Sequence, residues 1–132
     1  MNTAVGMKSL AGQRYLNLET YRRTGKGVRT PVWFAEASEE SAGPKLYVYT
    51  TANSGKAKRI RRTGVVKIAP CDSRGRVSGA WIPARAEIVG SQEFETGMRL
   101  LNRKYWPWKQ ILNLSVLLLS GHQRVIIAIR PA

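Results

Sequence analysis

The sequence is poor in the residues that catalysis most often uses. Its 132 residues include one cysteine, Cys71, and one histidine, His122. A single cysteine closes no internal disulfide and suits a reducing cytosol. With one histidine beside it, no metal-ligand cluster of the usual nitrogen and sulfur type can be assembled, so no metal is expected. Acids are scarce too, 8 Asp and Glu against 22 Lys and Arg. No two carboxylates form an assignable acid and base, and no nucleophile stands beside a plausible base. The catalytic residues are therefore unknown, and any redox chemistry has to come from a bound cofactor. The phosphate-loop pattern is absent. Thr24-Gly25-Lys26-Gly27 lacks the third glycine and the strand-turn-helix setting of a dinucleotide fingerprint. The N-terminus, MNTAVGMKSLAGQRY, has no apolar signal-peptide core. The longest apolar-rich run, Ile111 to Leu119, is broken by Asn113 and Ser115 and falls far short of the ~20 residues that span a bilayer. A cytoplasmic protein without a membrane span is the expectation.

What is present suits one globular domain over residues 1–132, with 1–13 as a loose lead-in. Apolar residues make up 43% and charged residues 23%, which argues against global disorder. The net charge of +14 implies an acidic partner: nucleic acid, an anionic membrane surface or a polyanionic small molecule.

Tyr15 to Tyr21 alternates, with Leu16, Leu18 and Thr20 on one side, and reads as a half-buried strand. A turn at Thr24 to Gly27 leads to a second strand, Val28 to Ala35. Pro31 within it calls for an edge or a bulge, a place where backbone groups can meet a ligand. Glu36 to Pro44, EASEESAGP, reads as an exposed hairpin tip. Further strands are expected from Leu46 to Tyr49, Val65 to Ala69, Gly79 to Val89 (with Pro83 marking another edge) and Val125 to Ile129. A helix over Ser91 to Tyr105 carries the stripe Phe94, Met98, Leu101, Tyr105. A second helix, Trp108 to Leu119, follows Pro107. Cys71 reads as a small semi-buried hydrophobe and His122 as a surface residue. Six strands in mostly hairpin order, with few and late helices, predict a mainly β (α+β) fold: a six-stranded antiparallel barrel with a few short peripheral helices.

The stretch LYVYTTANSGKAKRIRRTGVVKI, Leu46 to Ile68, carries the clearest functional signal. A strand runs through a small polar turn to Ser54, which is placed to cap a helix beginning near Gly55. That helix, Lys56 to Arg62, holds five basic residues in seven. Free N–H groups and the positive dipole end favour a phosphate there, and Lys56 in the first turn opposes the dipole unless an anion offsets it. Lys56 and Arg59 share a face. The same residues also fit a solvated basic helix, and both readings stand at this point. Trp33, Tyr47, Tyr49 and Trp81 fit core or interface; interleaved with so many cations, aromatics on a small barrel could instead stack nucleic-acid bases.

The run Arg29-Thr30-Pro31-Val32-Trp33-Phe34, then Leu46 to Thr51, then Ser54-Gly55-Lys56-Ala57-Lys58-Arg59 resembles the pyridoxamine-phosphate-oxidase-like, FMN-binding split β-barrel superfamily. More narrowly, it is similar to the actinobacterial branch that uses the deazaflavin coenzyme F-420. The resemblance implies a homodimer with cofactor sites at the subunit interface and an oxidoreductase moving a hydride between reduced F-420 and a small organic acceptor. Thr30, Pro31, Val32 and Trp33 would lie along the ring, and Thr50 and Thr51 would hold the ribityl chain and phosphate. Ser54, Lys56 and Arg59 would hold the phosphate beside Gly55, with Gly79 to Trp81 of a second subunit closing the ring pocket. Where flavin-binding relatives commonly carry Arg-Lys after the serine, this chain has Gly55-Lys56. That departure, together with the acidic oligoglutamate tail of F-420, favours the deazaflavin over FMN. An FMN enzyme, a non-enzymatic F-420 carrier and a nucleic-acid binder are the alternatives.

Overall fold

The structure is a computed structural model that describes residues 6–7, 10–39, 43–105 and 124–132. Among the described residues the main elements are six antiparallel strands and two helices: β1 (Tyr15–Tyr21), β2 (Gly27–Glu39), β3 (Gly43–Thr51), α1 (Gly55–Arg62), β4 (Val65–Cys71), β5 (Ile82–Ile88), α2 (Ser91–Tyr105) and β6 (Arg124–Pro131). The strands close into a barrel in the order β1-β2-β3-β6-β5-β4, with β4 returning to β1. The expected six-stranded antiparallel barrel with peripheral helices is the fold observed. The expected helix over 108–119, the tryptophans at 106 and 108, and the histidine at 122 lie outside the described residues. No described helix is long and apolar enough to cross a membrane.

Alternation explains the core. Leu16, Leu18, Val32, Phe34, Leu46, Val48, Val66, Ile68, Ile127 and Ile129 turn inward and pack as one buried cluster, which Ile60 of α1 joins from one end of the barrel. The opposite faces of β2, β3 and β6 (Ala35, Tyr47, Ile126, Ala128) are covered by α2 through Leu101 and Tyr105. Gly97 permits that close approach, because a Cβ there would lie 2.9 Å from Ile126 Cγ2 and 3.3 Å from the Tyr47 ring. Lys45, almost fully buried, donates to Glu93 Oε2 at 2.8 Å, and Tyr47 Oη donates to the same oxygen at 2.7 Å. These bonds fasten the first turn of α2 to β3.

Three expectations need correction. Glu36 to Pro44 is mostly strand rather than an exposed tip: β2 and β3 pair as far as Glu39↔Gly43, leaving only 40–42 between them. Backbone pairing overrides side-chain polarity there, and Lys104 pairs with Glu36 at 2.9 Å. The fifth strand begins at Ile82 instead of Gly79, because the Ser78 N–H donates to Pro70 O and Gly79 packs on the Pro70 ring before pairing resumes at Ile68↔Ile82. Finally, β1 is buried on both faces. Asn17 donates to Gly75 O, under the loop of residues 72–77, and Glu19 is held by Arg29 and Tyr21.

The two prolines that the sequence marks as edges, Pro31 and Pro83, have a ladder neighbour on one side only. Pro31 pairs with Asn17 and Pro83 with Lys67, and neither appears in a second ladder. Each therefore sits where a missing N–H costs least.

Candidate functional site

Strand β2 changes neighbour partway along. Residues Gly27 to Trp33 pair with β1, whereas Phe34 to Glu39 pair with β3. At its far end β3 pairs through Thr50↔Val125 and Thr51↔Arg124 with β6 alone. Among the described residues the barrel is thus split between the first half of β2 and the end of β3. The turn after β3 leads directly to α1, and the helix start lies beside the β3 edge of this split through the contacts of Ser54 and Lys56 with Thr50.

At that start Ser54 is the N-cap. Its Oγ accepts from the Ala57 N–H at 3.1 Å and from the Thr50 hydroxyl at 3.1 Å, and its carbonyl accepts from the Lys58 N–H. Accepting twice leaves the Ser54 proton for an outside acceptor. The N–H groups of Gly55 and Lys56 have no acceptor within the helix. Lys56 Nζ reaches back to Thr50 Oγ1 at 3.5 Å. Arg59 donates to Thr20 Oγ1 at 2.6 Å, and its guanidinium lies over the first turn, where a Cβ on Gly55 would meet Nη1 at 2.7 Å.

The charges here are uncompensated. Burial, and then the nearby Arg59, push the Lys56 pKa below its ordinary value. Burial and the nearby Arg22 do the same to Arg59. Among the described residues neither Lys56 nor Arg59 makes an ion pair; Glu19, Glu36, Asp72, Glu87 and Glu93 pair with cations elsewhere. Lys56, Arg59 and the Thr50 and Ser54 hydroxyls around a helix N-terminus, with Arg22 near Arg59, make a candidate anion site.

Thr50, Ser54, Gly55, Lys56 and Arg59 are therefore brought together. Thr51 is beside them, half-buried and paired with Arg124. On β2, Thr30 is half-buried and Pro31 exposed, while Val32 has its side chain in the barrel core, so only its backbone can meet a ligand. Trp33 stacks on Tyr105 of α2, ring centroids 4.8 Å apart and planes 12° from parallel. Gly79 and Trp81 are on the loop before β5. Within the same chain, Trp81 lies under the Arg29 guanidinium at 4.5 Å.

Sequence reading missed Arg22, Thr20 and Tyr105. Thr20 was legible as an inward position at the end of β1; nothing local marked Arg22 or Tyr105 as neighbours of the site. Buried Cys71, with its pKa raised by burial, is the inert hydrophobe that the sequence suggests. Among the described residues no cluster of His, Cys, Asp and Glu could hold a metal.

The fold is shared with solved structures. A candidate pyridoxamine 5'-phosphate oxidase of Listeria innocua is similar over 98% of this chain and 92% of its own, with a TM-score of 0.64 and 15% identity. A structure described as an F420 reductase is similar over 95% and 92%, with a TM-score of 0.59 and 22% identity. The heme storage protein HutZ of Vibrio cholerae is similar over 100% and 92%, with a TM-score of 0.62 and 13% identity. No protein-family profile and no curated protein matches the sequence. At these identities the likeness establishes the split-barrel fold.

Proposed function

We propose that this chain is a split-barrel oxidoreductase that binds the deazaflavin coenzyme F-420 as a homodimer and serves hydride transfer to a small organic acceptor. One observation carries the reading: Lys56 and Arg59, with Arg22 near Arg59, have no carboxylate partner among the described residues at a helix start that adjoins the end of β3. Such a cluster repels itself until an anion joins it, and the split lies where a planar ring could run along backbone.

The residues fit the coenzyme. Its phosphodiester would be held by Ser54, Lys56 and Arg59, with Thr50 and Thr51 beside the ribityl chain and Thr30 to Trp33 along the ring. The net charge of +14 suits its acidic tail better than it suits FMN. The ring, when bound, supplies the hydride chemistry. The chain's own work is to position the ring and neutralise its phosphate. A homodimer would add Gly79 to Trp81 of a second copy as the wall closing the pocket. The similar structure described as an F420 reductase supports the choice of coenzyme.

Fluorescence titration of the purified chain with F-420 and with FMN tests this. Tighter binding of F-420, weakened by about 1–3 kcal/mol in Lys56→Ala through loss of a charge-assisted bond, is expected. Binding of neither compound, or of FMN in preference, would refute it.

A further inference from the structure

The last turn of α2 grips β2 at the point where that strand changes neighbour. The β1–β2 ladder ends at Tyr15↔Trp33, and the β2–β3 ladder begins at Phe34↔Val48. The next pair across β1 and β2 would be Arg14 and Phe34, and the Tyr105 hydroxyl stands between them. It accepts from the Phe34 N–H at 3.0 Å and lies 2.6 Å from Arg14 O and 2.8 Å from Phe34 O, the two carbonyls that share its proton. Its ring stacks on Trp33, and burial raises its pKa, so it remains a neutral phenol. Lys104, one residue earlier, sits over the Phe34 ring at 3.7 Å and pairs with Glu36.

We infer that Tyr105 is a positioning residue for the cofactor groove: its hydroxyl parts β1 from β2 and thereby fixes the course of Thr30 to Trp33 along the split. The physical reason lies in backbone satisfaction. A buried strand group must find a partner. If the phenol oxygen is removed, closing the strands by one pair lets the Phe34 N–H donate to the Arg14 carbonyl and the Arg14 N–H donate to the Phe34 carbonyl. Zipping the β1–β2 ladder one pair further shifts Trp33 and the residues before it, which are the ones proposed to line the ring. The stacked ring alone does not prevent this, because stacking sets no hydrogen-bond register. This inference rests on the cofactor reading given above for its functional consequence, but not for its structural one.

The test compares Tyr105→Phe with Glu93→Gln. The first keeps the stacked ring and removes only the hydroxyl; the second loosens α2 at its other end and serves as a control for general destabilisation. Hydrogen exchange on the cofactor-free protein is the first readout. Tyr105→Phe is expected to change protection at residues 28–34 relative to the amides of α1, whereas Glu93→Gln, through its general loss of stability, is expected to shift the two alike. Affinity for F-420 is the second readout, with a loss of about three- to tenfold expected for Tyr105→Phe, the scale of one hydrogen bond, and none for Glu93→Gln. Unchanged exchange at 28–34 relative to α1 in Tyr105→Phe, or an equal relative change in both variants, overturns the inference. So does unaltered affinity in a Tyr105→Phe protein whose parent binds F-420. A parent that binds no F-420 refutes the proposed function instead, and the exchange measurement still decides whether Tyr105 sets the strand.

Discussion

At the scale of single residues, Lys56 is the most informative position. A lysine in the first turn of a helix opposes the dipole, and here burial and Arg59 make its charge costlier still. Its folded pKa lies below the ordinary lysine value of 10.5, so the ammonium is lost at a lower pH than on a solvent-exposed lysine. Anion binding that needs the ammonium is therefore expected to be full near neutrality and to weaken as the pH rises through the depressed pKa. Titrations in alkaline buffers would show it, and an affinity that stays flat to pH 10.5 would contradict the assignment. Glu93 supplies the matching case for stability. Its bonds to Lys45 and then Tyr47 lower its pKa below 4.5. Its contribution is thus present above the unfolded value and lost as pH falls through the folded one. Glu93→Gln should lower stability at neutral pH by about 1–3 kcal/mol, since it weakens the partner of a buried lysine. The gap between variant and parent should narrow in acid-denaturation curves below pH 4.5.

At the scale of elements, the two helices and β1 were readable to the residue or nearly so. Ser54 does cap α1, and α2 ends at Tyr105 as its stripe and following proline indicate. The start of α2 at Ser91 is also the expected one, with the Phe94 N–H donating to Gly90 O. The phosphate end of the site was legible because cap, basic helix and preceding strand are adjacent in sequence. The split in the barrel was expected from the family resemblance and not from local residues, since the strand groups freed where β2 changes partner are met by a tyrosine 71 residues further on. Nor could side-chain polarity reveal that Glu36 to Glu39 remains paired, because register and not composition decides it. Packing of α2 on the sheet makes its own prediction. Gly97→Ala pushes a methyl into Ile126 and the Tyr47 ring, and should destabilise the fold by about 1–3 kcal/mol in denaturant unfolding. Equal stability would mean that α2 sits further from the barrel.

At the scale of the whole molecule, charge and assembly are the open physical variables. Five acids are engaged with cations other than Lys56, Arg59 and Arg22, which leaves the α1 end strongly basic. Binding of a coenzyme with an acidic tail should accordingly weaken with added salt more steeply than binding of FMN. The proposed site also needs a second copy of the chain to close the ring pocket, so sedimentation at micromolar concentration should report a dimer.

A crystal structure of the chain with F-420 tests the central claim most directly. The account predicts the phosphate within hydrogen-bonding distance of Ser54 Oγ and Lys56 Nζ, the ring along Thr30 to Trp33 in the split, and a second copy closing the pocket. A coenzyme held elsewhere, such as the cleft lined by Val89, Phe94 and Arg124, would contradict it.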